Sequence, residues 1–325
     1  MSMNALPATL LEAVKFFSNS DNCREYLVAR RWPNGVTCPT CGSQTVYFDR
    51  SRNGWECKTR HPHRKFTLKT GTIFEDSPLG LDKWLPVVWM IANCKNGVSS
   101  WEIHRAIGVT QKTAWFMLQR VRLAMQDTNS GGKLGGDVEV DETYIGAKAR
   151  NMHASKKRRI GLSQTASMVG KAAVMGLLQR HPEKGKSTIR LSVIGGRRRT
   201  VFQPTIAEHV APGATVHTDT HPSYGDMPKD YIHKVINHAE KYVDGNVHTN
   251  GCENFWSLLK RGLKGTYVSV EPFHLFRYLD EQAFRFNNRK DMTDADRFSA
   301  VIANIVGRRL TYKNLIGPVD QVLPV

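Results

Sequence analysis

No run of about 18 consecutive apolar residues occurs in the 325-residue chain, so no membrane-spanning helix is expected. The opening stretch, MSMNALPATLLEAVKFF, carries no basic leader before its apolar part and shows no secretory pattern. Cysteine is scarce. Three of the six have metal-ligand spacing and the others are scattered, which argues against a disulfide framework and suits a reducing, cytoplasmic setting. Negative charge is the other shortage: 46 Lys and Arg stand against 29 Asp and Glu, a formal net charge of +17. That excess favours nucleic acid or another anionic surface as partner, although a merely basic soluble protein has the same composition. There is no repeat at solenoid period. Length and an ordinary 40% of hydrophobic residues leave room for two or three globular domains.

The first clear chemistry lies in RWPNGVTCPTCGSQTVYFDRSRNGWECKTRHPHRKFTL. Cys38 and Cys41 form a C-x2-C knuckle. Cys57 follows after fifteen residues, a length that suits a hairpin, with His61 and His63 close behind. Zinc takes four soft or borderline ligands in a tetrahedron, and two short-range pairs supply them. The expected set is Cys38, Cys41, Cys57 and His61, with His63 the alternative fourth ligand. A redox pair or buried thiols would be the plainer reading. The module is strongly basic, as a phosphate-contacting surface would be.

Residues 81–126 read as all-helical. LDKWLPVVWMIANCKNG is apolar on nearly every side and is expected to be a buried helix. Ser99 or Ser100 then caps a short helix, Gly108 makes a turn, and Thr110 caps a second helix. This is the pattern of a helix-turn-helix, whose second helix would offer Gln111, Lys112, Thr113 and Trp115 to a DNA major groove. Such helical pairs also occur without DNA.

NSGGKLGG, from Asn129 to Gly136, is a Gly-rich linker. Strand character follows at DVEVDETYI, AAVMGLLQR and STIRLSVIGG, then a short helix near Gln203, a strand at ATVHTD and a fifth at YIHKVINH. Hairpin-linked strands followed by crossovers imply a mixed sheet with helices on its faces, an α/β class. Between the first two strands lies a basic loop containing Lys156, Lys157, Arg158 and Arg159, either a solvated charge run or a DNA grip. The expected domains are 1–80 for N-terminal helices and ribbon, 81–128 for the helical pair, 129–136 for the linker, 137–312 for the sheet domain and 313–325 for a tail.

Two strands end in aspartate, DVEVD at Asp141 and ATVHTD at Asp219. The stretch from Val247 to Gly265 then reads as a loop feeding a helix. On a helical wheel Lys260 falls about 20° from Glu253, two turns later, while Cys252, Phe255, Leu259 and Leu263 cluster elsewhere as a buried stripe. Acids at two strand ends and on a helix could converge on divalent metal. The bland alternative is local: Asn250 followed three residues later by Glu253 also matches a helix capping box, and an aspartate at a strand end is often turn chemistry.

The segments CPTCGS, GTIFEDSP, VEVDETYIG, HTDTHPSYG, HTNGCENFWSLLKRGLKGTY and FRFNNR, in this order, resemble bacterial insertion-sequence transposases of the DDE class with an N-terminal zinc ribbon, the ISXO2-like group. The resemblance covers most of the chain. It implies an RNase H-like catalytic domain with Asp141, Asp219 and Glu253 as the three acids, Lys260 as the basic residue seven positions on, and Asn250 as the alternative third member. The ribbon departs from four cysteines, with His61 where a fourth would stand.

What the resemblance implies agrees with the chemistry of phosphodiester cleavage. Two Mg²⁺ ions, replaceable by Mn²⁺, activate water and neutralise the departing oxygen. Asp141 would bridge both, Asp219 hold one and Glu253 the other, with Lys260 and Arg261 near DNA phosphate. His217, His221 and His248 flank the acids and would either assist or hold loops. Structural Zn²⁺, double-stranded DNA at transposon ends and target, and at least a homodimer on DNA complete the expectation. The alternative is a non-catalytic DNA-binding regulator derived from such an enzyme.

Overall fold

The computed structural model of the chain describes residues 7–126, 132–146, 155, 171–196, 198–236 and 248–317. Side-chain caps open the first two helices. Thr9 accepts the amide of Glu12 at the start of α1 (Leu10–Phe17), and Asn19 accepts those of Asp21 and Asn22 at the start of α2 (Ser20–Arg31). Strands β1 (Val46–Asp49), β2 (Gly54–Cys57) and β3 (Lys65–Phe66) then pair antiparallel in that order. So small a sheet builds its core from aromatics: Trp32 meets Trp55 at 5.4 Å and Phe66 at 6.1 Å between ring centroids. Helix α3 (Leu81–Asn93) buries Trp84, Leu85, Val87, Val88, Trp89 and Ile91, the all-round burial its composition implies. Ser99 and Glu102 form a full capping box at α4 (Ser100–Ile107), and Thr110 caps α5 (Gln111–Met125). The turn between them passes through Gly108 at φ 63°, a left-handed conformation that favours glycine.

The larger sheet is mixed. Strands β4 (Asp137–Ile145), β5 (Ala172–Gln179) and β6 (Thr188–Ile194) form an antiparallel meander. Helix α6 (Arg199–His209) follows, then β7 (Thr215–Thr218) parallel to β4, and β8 (Ile232–Val235) parallel to β7. The order β6-β5-β4-β7-β8 makes β4 the central strand. Both its faces are covered. Val138 and Val140 pack with Phe202 and Ile206 of α6 on one side. On the other, α7 (Asn250–Gly262) and α8 (Leu275–Asn287) lay Cys252, Phe255, Trp256, Leu259 and Leu279 against Val174 and Leu178 of β5.

After α8 the chain rejoins the first group of elements. Two compact units result, Met1–Gln126 with Asp291–Val325, and Asp127–Lys290. Helix α9 (Asp294–Ala303) sets Phe298 against Phe17, Tyr26 and Trp89, with centroids 5.2–5.7 Å apart. Helix α10 (Tyr312–Ile316) belongs to the same unit. The sheet unit so divided ends at Lys290, where the sequence reading places the end of the sheet domain at residue 312, and the ribbon and the helical pair both lie in the first unit. The end of the Gly-rich segment joins the sheet. Leu134 is buried in the sheet core, receives the Ala211 amide on its carbonyl and donates its own amide to His209 O.

Candidate active site and zinc site

Cys38, Cys41, Cys57 and His61 bring their ligand atoms within 4.8 Å of one another. Cys41 Sγ lies 3.7 Å from Cys57 Sγ, and Cys38 Sγ 3.4 Å from His61 Nε2. A tetrahedron with Zn–S near 2.3 Å and Zn–N near 2.0–2.1 Å has edges of about 3.8 Å for S···S and about 3.6 Å for S···N. The donors fit Zn²⁺ by geometry and by chemistry. His61 Nδ1 meets the Pro62 carbonyl; donating a proton there leaves Nε2 with the lone pair a metal needs. His63 stands outside this set, exposed and with a left-handed backbone at φ 61°.

In the sheet unit, Asp137 pairs with Thr215 and Glu139 with His217 across the parallel β4–β7 ladder. Asp141 lies two residues beyond the last residue of β4 paired in that ladder and Asp219 directly follows β7, near enough for its charge to act on the Asp141 carboxyl. Asp141 is half-buried. Burial first, and the charges of Glu142 and Asp219 next, push its carboxyl from 3.8 up to about 6, against the opposing pull of a Trp256 hydrogen bond. Trp256 Nε1 donates to Asp141 Oδ2 at 2.8 Å, and the Glu142 amide to Oδ1 at 2.9 Å. Asp219 accepts the His221 amide at 2.9 Å. On the opposite face of β4, the Tyr224 hydroxyl donates to Glu142 at 2.7 Å. Burial and the charge of Glu142 drive the Tyr224 phenol well above its usual range.

Glu253 and Asn250 are both exposed on the first turn of α7. The capping box suggested by their spacing does not form: Thr249 is the N-cap, and no side chain of this segment caps the helix. Glu253 stands one turn before Trp256, so a single indole links its helix to Asp141. Among the described residues, only the zinc set closes its ligand atoms to within 4.8 Å; the three acids do not.

Four residues that the sequence reading passed over shape this site. Gly176 pairs with Asp141 across β4–β5, and a Cβ there would lie 2.7 Å from the Trp256 ring. The glycine makes room for the indole that Asp141 accepts from. Glu139, two residues before Asp141, is 1% exposed and bonded to Arg180. A mid-strand glycine and a Glu-x-Asp spacing were the only signals available. The three histidines have holding contacts. His217 meets Asp137 at 2.7 Å, with burial lowering its pKa; His221 accepts the Ser223 amide; His248 contacts Arg180, and burial, then that cation, lower its pKa.

The expected DNA-reading residues are divided. Beyond its first turns α5 is a core helix, burying Met117, Leu118, Val121 and Ala124. Gln111 donates to Ser100 at 2.7 Å, Lys112 lies over the Tyr312 ring at 4.7 Å, Thr113 bonds Thr110, and Trp115 is half-buried. Trp101 on α4 is 57% exposed and was not singled out by pattern. Lys260 and Arg261 are exposed on α7. Lys156, Lys157, Arg158 and Arg159 lie outside the described residues. Among the described residues, no helix is long and apolar enough to cross a membrane.

Residues 133–287 match the ISXO2-like transposase domain, and residues 18–59 the transposase zinc-ribbon domain. An uncharacterized protein in transposable element ISH50 of Halobacterium salinarum is 28% identical over 268 residues, 77% of this chain and 85% of its own length. The sheet unit is thus matched to the ISXO2-like transposase domain and the ribbon to the transposase zinc-ribbon domain, and with a relative carried by a transposable element the chain is similar to IS1595-type, ISXO2-like transposases.

Proposed function

We propose that the sheet unit is an RNase H-like catalytic domain that cleaves the ends of an insertion sequence and joins their 3′ hydroxyls to target DNA. The observation that carries this reading is the half-buried Asp141 carboxyl, raised to about 6 by burial and by the neighbouring charges of Glu142 and Asp219, on the central strand that runs parallel to the strand Asp219 follows. A divalent cation relieves that repulsion, and hard carboxylate donors suit Mg²⁺ or Mn²⁺. The sheet order, a meander around a central strand with two parallel strands beyond it, supports the fold assignment.

Asp141, Asp219 and Glu253 would hold the ions, with Asn250 as the alternative third member on the same helical turn. When bound, the ions supply an activated nucleophile and neutralise the departing oxygen. Water displaces the 3′ oxygen at the element's end, and the freed hydroxyl then displaces a target 3′ oxygen in the same site. Exposed Lys260 and Arg261 would hold phosphate. The ribbon and the α4–α5 pair would bind the ends as a helix-turn-helix assembly on duplex DNA, with two copies needed to hold two ends.

The test is end cleavage and joining with Mg²⁺ on labelled DNA carrying the inverted repeat that flanks the gene. Wild type, Asp219→Ala, Glu253→Ala and Asn250→Ala are compared. Joined product absent from the Asp219 and Glu253 variants and retained by Asn250→Ala is expected. Wild type that binds the ends without cutting them would instead assign a DNA-binding regulator.

A further inference from the structure

The start of α7 is tied to the sheet by charges that the chemistry above leaves unused. Glu139 accepts Arg180 Nε at 2.7 Å with one carboxylate oxygen and the backbone amide of Cys252 at 3.0 Å with the other. Arg180, just past the end of β5, also reaches His248 through one terminal nitrogen, at 2.5 Å to the carbonyl and 3.0 Å to Nδ1. The same His248 Nδ1 lies 3.4 Å from Glu139 Oε1, so carboxylate, guanidinium and imidazole meet at one point. Gly251 lets the parts close: a Cβ there would lie 2.8 Å from Glu139 Oε2 and 3.1 Å from Leu178 Cδ2. With no local side-chain cap on α7, a buried anion from β4 meets the helix's free amides.

The placement matters more than the charge. Glu139 precedes Asp141 by two residues on the same strand face, and Cys252 precedes Glu253 by one. A single carboxylate thus joins strand and helix beside both acids. A buried ion pair adds little stability over a well-packed apolar one, but it does define a geometry.

We propose that Glu139, Arg180 and His248, closed over Gly251, form a clamp that positions the third acid by fixing the height and rotation of α7 over β4. The proposal rests on Asp141, Asp219 and Glu253 being metal ligands. Misplacing a reacting group by about 1 Å costs on the order of 100-fold in rate, so a loosened clamp would be seen in catalysis and metal affinity before folding.

Full-length zinc-loaded Glu139→Gln, Gly251→Ala and Arg180→Lys are compared with wild type and Asp219→Ala. The measurements are Mn²⁺ affinity by calorimetry without DNA, the Mg²⁺ dependence and plateau rate of end cleavage, end-DNA affinity, and melting temperature. Gly251→Ala alters no charge, so it separates position from electrostatics. Glu139→Gln and Gly251→Ala are expected to bind ends within about 3-fold of wild type, to bind Mn²⁺ at least about 10-fold more weakly, and to lose roughly 30- to 100-fold in plateau rate. Arg180→Lys, which keeps the charge but not the two-armed reach, should fall between. Wild-type Mn²⁺ affinity and rate in Gly251→Ala would overturn the clamp, as would losses matched by equal damage to end binding and melting. Failure of the underlying metal reading is seen separately, because Asp219→Ala would then bind Mn²⁺ as wild type does.

Discussion

Replacing Asp141 with asparagine should stabilise the protein while destroying its chemistry. A carboxyl held near 6 instead of 3.8 keeps its proton more tightly in the folded chain than in the unfolded one. That difference favours the native state below about pH 4 and is lost as pH rises through about 6. At neutral pH the ionised, half-buried group therefore costs at most about 3 kcal/mol. Asparagine removes the charge but keeps one acceptor where the carboxylate uses two, for Trp256 and for the Glu142 amide. Losing one hydrogen bond returns about 1 kcal/mol. Partial exposure screens the rest. The net expectation is about 1–2 kcal/mol of stabilisation for Asp141→Asn at pH 7.5.

The assay is thermal melting of zinc-loaded protein without added divalent ions. For a unit of this size that gain corresponds to roughly 2–8 °C. The advantage should shrink toward pH 5 and reverse near pH 4, where the wild-type carboxyl is protonated as well. Mg²⁺ then distinguishes a metal site from a merely buried acid. At ten times its Kd a bound ion stabilises wild type by about 1.4 kcal/mol, and the variant should show none of that gain. An Asp141→Asn protein that melts at or below wild type at pH 7.5, or whose difference from wild type does not change with pH, would refute the reasoning.

Three further outcomes follow from the geometry. His61→Ala should weaken zinc binding by roughly 100-fold or more and unfold the ribbon, whereas His63→Ala should retain zinc at wild-type stoichiometry by metal analysis. Gly176→Ala drives a methyl to 2.7 Å from the Trp256 ring; it should cost about 1–3 kcal/mol in denaturant unfolding and lower end-cleavage rate through the displaced indole. Phe298→Ala should destabilise the first unit by about 3–5 kcal/mol and leave Mn²⁺ binding by the sheet unit intact in calorimetry.

What could be read from the chain, and what could not, divides by the range of the interaction involved. The C-x2-C knuckle, Cys57 and the alternation of β4 are local patterns, and these survive into the fold. Spacing alone admitted both His61 and His63; only the closure of Nε2 onto Cys38 separates them. The return of α9 was invisible because Phe298 finds its partners some 200 to 280 residues earlier in the chain, at Phe17, Tyr26 and Trp89. Glu139 was hidden by its own chemistry, since a polar residue alternating with valines reads as solvent-facing until a helix is laid over it.

The two capping-box patterns make the physical point most directly. Ser99 with Glu102 and Asn250 with Glu253 show the same four-residue spacing in sequence. The first closes locally, on an exposed helix start where nothing else competes for the amides. The second does not, because α7 begins one residue earlier than the box requires: Thr249 is the N-cap, which puts Asn250 at the first helical position and Glu253 at the fourth, its amide bonded to the Thr249 carbonyl. The amide at the third helical position, Cys252, goes instead to the buried Glu139 of β4, and Asn250 and Glu253 are both exposed. A tertiary anion meets the amide that a local cap would otherwise take, and Glu253, with no part in a capping box, stays exposed.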